Sequence, residues 1–558
     1  MGAVTPDTAA GEHPRLWAPL LAAATTAAVF WPAVHNGFVD LESPDRKLGG
    51  AWLRGLPLPP LHPSPFAAHV ASVLLHALAA ALFAAAAALL LRAAWRRDAE
   101  DPGPWWWGGL AALLFSLHPL RVEAVAWSAA QPDLLRGAVF LISLLCYLKA
   151  AAPAAALAWR AGFWLAAGAC AVVAPGLAAA LALSLPILDI YPLRRLPPDP
   201  RLWNVPACRG VLLEKALLAA LAWLALRAGT PATQPDTPGL LQEAAGSLRR
   251  GLFYLGKTLW PANLCPIYGP AAAPHPPSDR GTYVACLPWA WLAAAGLAAW
   301  SQGSRARLAS ALAAATLLVG LLFGLTRLQL ASWRDSETLW SRIAALRPED
   351  ASARLRLGDL CLARRSLREA FAHYKRALEL APKLAAAHYA LGRLYSSAED
   401  YDWAARCYGQ ALRLDPKDLR AYNDLGVALY AHGETAEAVK LFRQGLAQNV
   451  DERLPGVRLQ RLNLLNDLGN ALLGSGDGRG ALQAYLAALR LAPDDPRTHY
   501  NCGLAWLRLE RPDEAALCFR EALRLDPGFR AAEANLAAAR SRRARRARSP
   551  CARRGTKR

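Results

Sequence analysis

The chain has 558 residues, enough for two or three domains, and its composition changes sharply along its length. About half of its formal net charge of +20 lies in the last 19 residues, which hold ten Lys or Arg and no acid. Such a tail attracts polyanions, but nothing else in the chain supports nucleic-acid binding, so no nucleic-acid partner is expected. The ten cysteines form no CxxC pair and no His/Cys cluster, and neither a metal site nor a cofactor is predicted.

The N-terminal part of the chain, up to position 330, is rich in Ala, Leu and Trp and contains repeated apolar runs. Five runs are long enough to cross a bilayer, which takes about 20 apolar residues, and four more are shorter or interrupted by Pro. We therefore predict a polytopic helical membrane domain over residues 1–330, with about nine crossings. The long runs lie near 16–34, 66–91, 133–151, 210–228 and 308–326, and the others near 105–117, 155–174, 176–191 and 285–301.

Basic residues in short loops predict the orientation of these runs. They cluster after the second, fourth, sixth and eighth runs, so all four positive loops share one side if the N-terminus is cytoplasmic. The stretches HNGFVDLESPD and LHPLRVEAVAWSAAQPD then lie on the other side, as does everything after the ninth crossing. The C-terminal half is therefore expected outside the cytoplasm, in the periplasm or the ER lumen. Within the second run, His69 and His76 are expected to form hydrogen bonds between helices.

A sequence repeat begins near position 351, and its period of about 34 residues is that of tetratricopeptide repeats. In each copy a Gly is followed twelve residues later by Ala and, in four copies, twenty-four residues after the Gly by Pro, which is the tetratricopeptide pattern of paired helices. An α-solenoid is predicted over residues 331–540, with residues 541–558 as a disordered basic tail. The fold class is thus all-α throughout. The five repeats centre on Gly358, Gly392, Gly426, Gly469 and Gly503.

Such solenoids bind extended polypeptides or partner helices on their concave face. Three asparagines fall on the first helix of their repeats, towards that face: Asn423, Asn466 and Asn470. Their amides are able to bond a peptide backbone without reading its sequence, and the alternative is that they are ordinary polar surface residues.

Taken together, the two halves resemble a known family. The stretches that carry the likeness are NGFVDLES, AAHVASVLLHALAAALF, LHPLRVEAVAWSAAQPDLL, LSLPILDIYPLRR, RGLFYLGKTLWPANLCPIY and ASWRDSETLW. They are similar to the transmembrane and tetratricopeptide repeat-containing O-mannosyltransferases, which have GT-C-type membrane domains, and to their bacterial relatives. The likeness spans most of residues 16–540.

This resemblance implies sugar transfer from a polyprenyl-phosphate-linked donor to a protein hydroxyl, with membrane lipid and an acceptor polypeptide as partners. A hydroxyl is a weak nucleophile, so a carboxylate must accept its proton, and the resemblance points to Glu42 in the first loop, helped by Asp40. The departing phosphate needs cationic or hydrogen-bonding partners. Candidates for that contact, or for orienting the acceptor, are His118, Arg121, Glu123 and Lys257.

The sequence also departs from the family pattern. The first loop of relatives resembles F-V-N-x-D-D, whereas this chain reads FVDLES, with Ser43 at the second acidic position. A D-R-Y-x-Y-L-P-like motif that relatives carry before W-R-D-S is missing, while HP-x-x-x-E and YLGK-x-x-WP-x-N-L are retained. Two hypotheses therefore stay open: an active glycosyltransferase, and an inactive membrane-anchored scaffold. For His118 and Lys257, helix capping and an interfacial position are the structural alternatives.

Overall fold

The computed structural model describes residues 13–36, 65–98, 100–127, 130–152, 155–229, 253, 256–259, 261, 264, 283–451 and 456–548. These residues are helical or irregular and include no β-strand. They form two compact units, the first ending at Leu346 and the second beginning at Arg347, whereas the sequence placed the boundary at residue 330. The first is called the apolar unit below and the second the repeat unit.

The apolar unit consists of eleven described α-helices, with a 3₁₀ turn (Trp31–His35) after the first of them. The longest helix, Pro65–Trp95, lies among several of the others, and its Ala-rich surface lets them approach closely. For example, a Cβ added to Gly108 of the helix Gly103–Ser116 would lie 2.6 Å from the carbonyl oxygen of Ala84. The helices are α1 (His13–Phe30), α2 (Pro65–Trp95), α3 (Gly103–Ser116), α4 (Val122–Ala126), α5 (Gln131–Ala150), α6 (Leu157–Val173), α7 (Pro175–Ile190), α8 (Pro206–Gly229), α9 (Leu287–Trp300), α10 (Arg305–Ala331) and α11 (Ser336–Leu346).

The prediction of nine crossings is not supported. In the described part of the chain, three segments are long and apolar enough to span a membrane: Trp17–His35, Pro65–Trp95 and Arg305–Ala331. A fourth arises if α3 and the segment Pro119–Ala126, bent by 60°, count as one broken span. The predicted runs at 105–117, 155–174, 176–191 and 285–301 fold into helices of 14 to 17 residues, about 21–26 Å long against a hydrocarbon core of about 30 Å.

Charged residues explain why the two remaining predicted runs are not counted as membrane spans. Helices α5 and α8 have 20 and 24 residues, which is long enough to cross, but α5 carries ionisable side chains near both ends and α8 carries them near both ends and in its middle. Charged groups in a lipid-facing helix are strongly disfavoured, so length alone does not make these helices spans. Those in α5 are Asp133, Arg136 and Lys149, and those in α8 are Arg209, Glu214, Lys215 and Arg227.

The repeat unit contains the five predicted helix pairs. In each pair, the Gly of the first helix lies against a buried aromatic ring sixteen residues later, so closely that an added Cβ would stand 2.4–2.5 Å from a ring carbon. A residue with a side chain at these positions would collide with the ring, so the repeated Gly is what allows the two helices of a pair to approach so closely. The pairs are Ala351–Ala363 with Leu367–Leu380 (α12, α13), Ala385–Ser397 with Tyr401–Leu414 (α14, α15), Leu419–His432 with Thr435–Ala447 (α16, α17), Val457–Gly474 with Gly478–Leu491 (α18, α19) and Pro496–Arg508 with Pro512–Leu525 (α20, α21).

A last helix, α22 (Arg530–Arg548), packs on the fifth pair through Leu536 and Ala539. Residues 541–548 of the predicted disordered tail are therefore helical. Arginine has a high helix propensity, and the final turns simply continue a helix that already has a packing partner. The rest of the basic tail lies outside the described residues.

Candidate functional site

The retained segment LHPLRVEAV forms a bend in the apolar unit. Pro119 cannot continue helix α3, so the chain turns into a short 3₁₀ segment (Pro119–Arg121) before α4 begins. The His118 Nδ1 atom accepts a hydrogen bond from the Leu120 N–H at 3.3 Å, and the Nε2–H donates to the Thr258 carbonyl at 2.9 Å. His118 thus caps the bend and ties it to residues 256–259, as the capping alternative predicts.

Arg121 follows on the same bend and is completely buried. Its Nη2 atom donates to Cys286 Sγ at 3.1 Å, and the guanidinium lies 5.5 Å and 5.3 Å from the ring centroids of Phe115 and Tyr283. Aromatic faces attract a cation, and this attraction is strongest when water is excluded. The packing therefore holds the guanidinium in place among side chains of the protein.

A second imidazole links three parts of the apolar unit beneath the bend. His76 Nδ1 accepts from the Tyr283 hydroxyl at 2.8 Å, and its Nε2–H donates to the Ser116 carbonyl at 3.1 Å. The Ser116 hydroxyl in turn accepts from Thr26 Oγ1 at 2.7 Å. The predicted inter-helix role of His76 is confirmed, and the partner Tyr283 could not be found from sequence because it lies 207 residues away.

Three of the predicted site residues therefore come together. His118, Arg121 and Glu123 share the bend, all buried, and the half-buried Lys257 lies on the helical turn whose Thr258 carbonyl bonds His118. The Lys257 ammonium stands 6.0 Å from the ring centroid of Phe253. Asp40 and Glu42 lie outside the described residues.

Beside the bend, an open pocket of about 450 Å³ lies where α10 ends and the 3₁₀ turn after α1 ends. Thr326 of α10 donates to the Leu117 carbonyl at 2.6 Å, which attaches this end of α10 to the bend. Across the pocket, the Asn36 side-chain amide donates to the Trp333 carbonyl at 3.0 Å. The pocket is lined by Pro32, His35, Asn36, Arg327, Leu330, Ala331 and Arg334.

A charged cluster that sequence analysis missed lies at the far ends of α5 and α7 and on α8. The buried Asp189 accepts from the Tyr147 hydroxyl at 2.5 Å and 2.6 Å, and it pairs with Lys215 at 2.9 Å and Arg195 at 3.2 Å. Glu214 pairs with the same two cations. An acid inside the apolar run LSLPILDIY was the available signal, since a buried carboxylate requires a cation.

In the repeat unit, the three predicted asparagines lie on first helices, Asn423 on α16 and the other two on α18. They already make contacts inside the protein. Asn466 Oδ1 accepts from Thr498 Oγ1 of the next repeat at 3.0 Å, and Asn470 Oδ1 accepts from the Tyr485 hydroxyl at 2.8 Å. In the described part of the chain, Asn423 Oδ1 is a buried acceptor with no hydrogen-bond partner.

Carboxylates accompany these amides along the first helices. Asp424 accepts from the Tyr389 hydroxyl at 2.7 Å, and Asp467 accepts from Asn470 at 3.3 Å. Burial raises the pKa of Asp359, Asp424 and Asp467 above the ordinary value for aspartate, because water no longer stabilises their charge. These carboxylates thus hold the repeats together at an electrostatic penalty.

The tetratricopeptide repeat family model matches residues 321–385, 389–451 and 466–528, roughly a third of the chain. Together with the packed helix pairs, this match shows that the chain contains tetratricopeptide repeats, which generally mediate protein–protein interaction. The first matched stretch begins ahead of the first packed pair. Gly324 lies one repeat period before Gly358, yet an added Cβ there would meet nothing within 4 Å, so the sequence pattern extends further than the repeat packing.

Among curated proteins, the chain is similar to the protein O-mannosyl-transferase TMTC2 of Mus musculus and to that of Homo sapiens. Each is 32% identical over 108 residues, which is 19% of this chain. The match spans only 12% of the length of these relatives.

Among solved structures, the chain is similar to YrrB, a tetratricopeptide repeat protein with an unusual peptide-binding site, at 22% identity and a TM-score of 0.29. That match covers 35% of this chain and 95% of YrrB. The chain is also similar to PilF of Pseudomonas aeruginosa, at 21% identity and a TM-score of 0.29, covering 34% and 88% of the two chains.

Proposed function

We propose that this protein is an integral membrane O-glycosyltransferase that takes a sugar from a polyprenyl-phosphate carrier and holds its acceptor polypeptide with the repeats. The observation that carries the proposal is the bend of His118, Arg121 and Glu123, three buried ionisable side chains in a six-residue stretch of a mostly apolar helical unit. Ionisable groups at such positions are expensive, and their usual justification is function. The short likeness to O-mannosyl-transferases supports the same reaction class.

The proposed chemistry begins at the first loop. Asp40 follows Asn36 by four residues and Glu42 follows it by six, and Asn36 lines the pocket beside the bend. A carboxylate there would accept the proton of a Ser or Thr hydroxyl as its oxygen attacks the anomeric carbon of the sugar. The bond from that carbon to the phosphate oxygen breaks at the same time, and the polyprenyl phosphate leaves with the electron pair.

The residues of the bend act through position. Arg121 is enclosed by Cys286 and two aromatic rings, so in this arrangement its guanidinium is not available to a ligand. We assign Arg121 and His118 to fixing the bend, and Lys257 remains a candidate for the phosphate. Glu123, buried two residues further on, is assigned to the same support.

The repeats are the proposed acceptor site. Asn423 is a half-buried residue on the first helix of its repeat, and we assign its side-chain amide to the backbone of an extended polypeptide. Asn466 and Asn470 each use the amide oxygen inside the protein, and Asn470 also donates one N–H to Asp467; the second N–H of Asn470 and the N–H groups of Asn466 are left for a partner or for water. The acceptor is then held by its backbone, with little dependence on its sequence.

The experiment that tests this function uses the full-length protein in nanodiscs, with polyprenyl-phosphate-mannose and a Ser/Thr-rich peptide. Glu42→Gln or Asp40→Asn should lower sugar transfer by about 100-fold or more, since general-base catalysis contributes about 10²–10⁴-fold. Asp98→Asn, at an exposed acid following α2, is the matched control and should transfer normally. If the wild-type protein neither binds nor consumes the donor, the enzyme proposal is wrong.

The second candidate is an inactive membrane-anchored scaffold. Ser43 at the second acidic position and the missing motif before W-R-D-S favour it. A scaffold would retain polypeptide binding that Asn423→Ala weakens, while all donor binding and transfer would be absent from the wild-type protein.

A further inference from the structure

The pocket between the end of α10 and the 3₁₀ turn after α1 contains two guanidinium groups that the proposed reaction has not used. Arg327 and Arg334 are both exposed. Within the described residues, neither is paired with a carboxylate; Arg327 makes a long hydrogen bond of 3.4 Å to the Val29 carbonyl. The nearest acid in sequence, Asp335, accepts hydrogen bonds from the backbone and hydroxyl of Thr338 and caps α11.

The electrostatics of this pocket favour an anion. Two helical segments direct their carbonyl ends towards it, and each helix end carries about half a negative charge. Two full positive charges on Arg327 and Arg334 outweigh about one negative charge from the helix ends, before His35 and Asn36 add their hydrogen-bonding groups. Counted over the described residues, the pocket is therefore net positive, and each guanidinium offers two parallel N–H donors of the kind that bind phosphate.

Its surroundings are those of a lipid headgroup site. The pocket lies at the ends of two candidate spans, Trp17–His35 and Arg305–Ala331. Trp31 and Leu328, next to lining residues in sequence, are 48% and 72% exposed, which leaves an apolar surface beside the cations. A volume of about 450 Å³ falls within the usual range for small-molecule sites, about 300–1,000 Å³.

We propose that this pocket binds the phosphate of the polyprenyl-phosphate-linked donor, with Arg327 and Arg334 as its cationic ligands and His35 and Asn36 as hydrogen-bonding partners. The inference rests on the proposed function and adds the site at which its donor is held. Asn36 precedes Asp40 by four residues and Glu42 by six, so a residue that lines the pocket is close in sequence to the proposed base. The polyprenyl chain lies on the apolar side, along Trp31 and Leu328.

The test measures binding of polyprenyl monophosphate to the full-length protein in phosphatidylcholine nanodiscs. Arg327→Ala and Arg334→Ala should each weaken binding by about tenfold or more, and the unphosphorylated polyprenol should bind weakly to every variant. Arg305→Ala is the matched control, because Arg305 is an exposed arginine at the opposite end of the same helix, about 33 Å away. It should bind like the wild-type protein.

The other outcomes separate the two proposals. Equal binding by all variants, or equal loss in Arg305→Ala, would overturn the pocket assignment and leave the proposed reaction standing. Polyprenol binding as tightly as its phosphate would also overturn it. If the wild-type protein ignores polyprenyl phosphate but binds phosphatidic acid through these two arginines, the pocket takes ordinary phospholipid, and the donor assignment fails together with the proposed function.

Discussion

The apolar unit places charges at both of its ends, and the two ends treat them differently. At one end Asp189, Glu214, Arg195 and Lys215 neutralise one another around the Tyr147 hydroxyl. At the other, Arg327 and Arg334 face an open pocket with no acid paired to them in the described residues. Helix α5 runs between the two ends. Its Gln131 donates to the Ala68 carbonyl near the start of α2, where the Phe66 ring lies 6.4 Å from that of His35 in the pocket, and its Tyr147 lies about 24 Å further along the axis. The first arrangement is complete without a ligand, and the second is completed by one.

The largest expected effect comes from breaking the complete cluster. Asp189→Ala should lower the free energy of unfolding by about 3–5 kcal/mol, because it leaves Lys215 and Arg195 charged without their buried partner. Thermal unfolding of the full-length protein in mild detergent measures the loss. Arg334→Ala is the contrasting variant and should change stability by less than about 0.5 kcal/mol. Comparable losses in both variants would remove the distinction between a structural cluster and a ligand site.

A similar contrast exists in the repeats between a glycine packed against a neighbouring ring and a glycine with open space around it. Replacing each by Ala adds one methyl group and tests the difference. Gly469→Ala would place a Cβ 2.4 Å from a ring carbon of Tyr485, and overpacking of this kind should destabilise the repeat by about 1–3 kcal/mol. Gly409→Ala, in helix α15, meets nothing within 4 Å and should stabilise its helix by about 0.5–1 kcal/mol. Hydrogen exchange of the amides in each repeat measures both changes locally.

The contacts behind the glycine prediction can be read from the sequence to a larger extent than those behind the Asp189 prediction. Each helix pair closes within a single repeat period, so the Gly, Ala and Pro positions predict the pairs without knowledge of any distant part of the chain. The aromatic ring sixteen residues after each Gly is equally regular, and a wider search for periodic positions would have found it.

The apolar unit is held together by contacts between residues that are much further apart in the sequence. His76 meets Tyr283 and Thr326 meets Leu117 across more than 200 residues, and no local pattern encodes such pairs. The capping role of His118 was predictable because Pro119 follows it directly. The pocket arginines were not, because α10 and the 3₁₀ turn after α1 meet only in the folded chain. Nine crossings were overestimated because an apolar run does not show how long its helix will be: four runs fold into helices of 14 to 17 residues, and two more carry ionisable side chains.

A weaker perturbation of the cluster should have a graded effect. Glu214 is 24% exposed, whereas Asp189 is fully buried, although both pair with Lys215 and Arg195. Glu214→Gln should therefore lower the free energy of unfolding by about 1 kcal/mol or less, because water partly replaces the lost interaction. The ranking of Asp189→Ala and Glu214→Gln in one thermal series checks this. If the two losses are equal, burial does not control the strength of the cluster.

The smallest effect concerns the buried carboxylates of the repeats. Although these carboxylates are hydrogen-bonded, burying their charge still lowers the stability of the fold. Burial raises the pKa of Asp467, so the folded repeat holds its proton to a higher pH than the unfolded chain does, and stability falls as pH rises from about 4 through the folded pKa. Asp467→Asn keeps an acceptor for Asn470 but removes the charge. The variant should gain stability relative to the wild-type protein between pH 4 and pH 7, by about 1 kcal/mol or less.

Hydrogen exchange in α18 and α19, measured at several pH values and corrected for the intrinsic rate, follows this gain. Asp494→Asn, at an exposed carboxylate, should show no such trend. A relative gain that instead grows towards pH 4 would mean that the Asp467 carboxylate stabilises the fold in its charged form. Asp467 would then resemble Asp189, whose buried charge is balanced by neighbouring polar groups. The balance of charge around a buried acid, more than its depth of burial, would then determine whether the acid stabilises this protein.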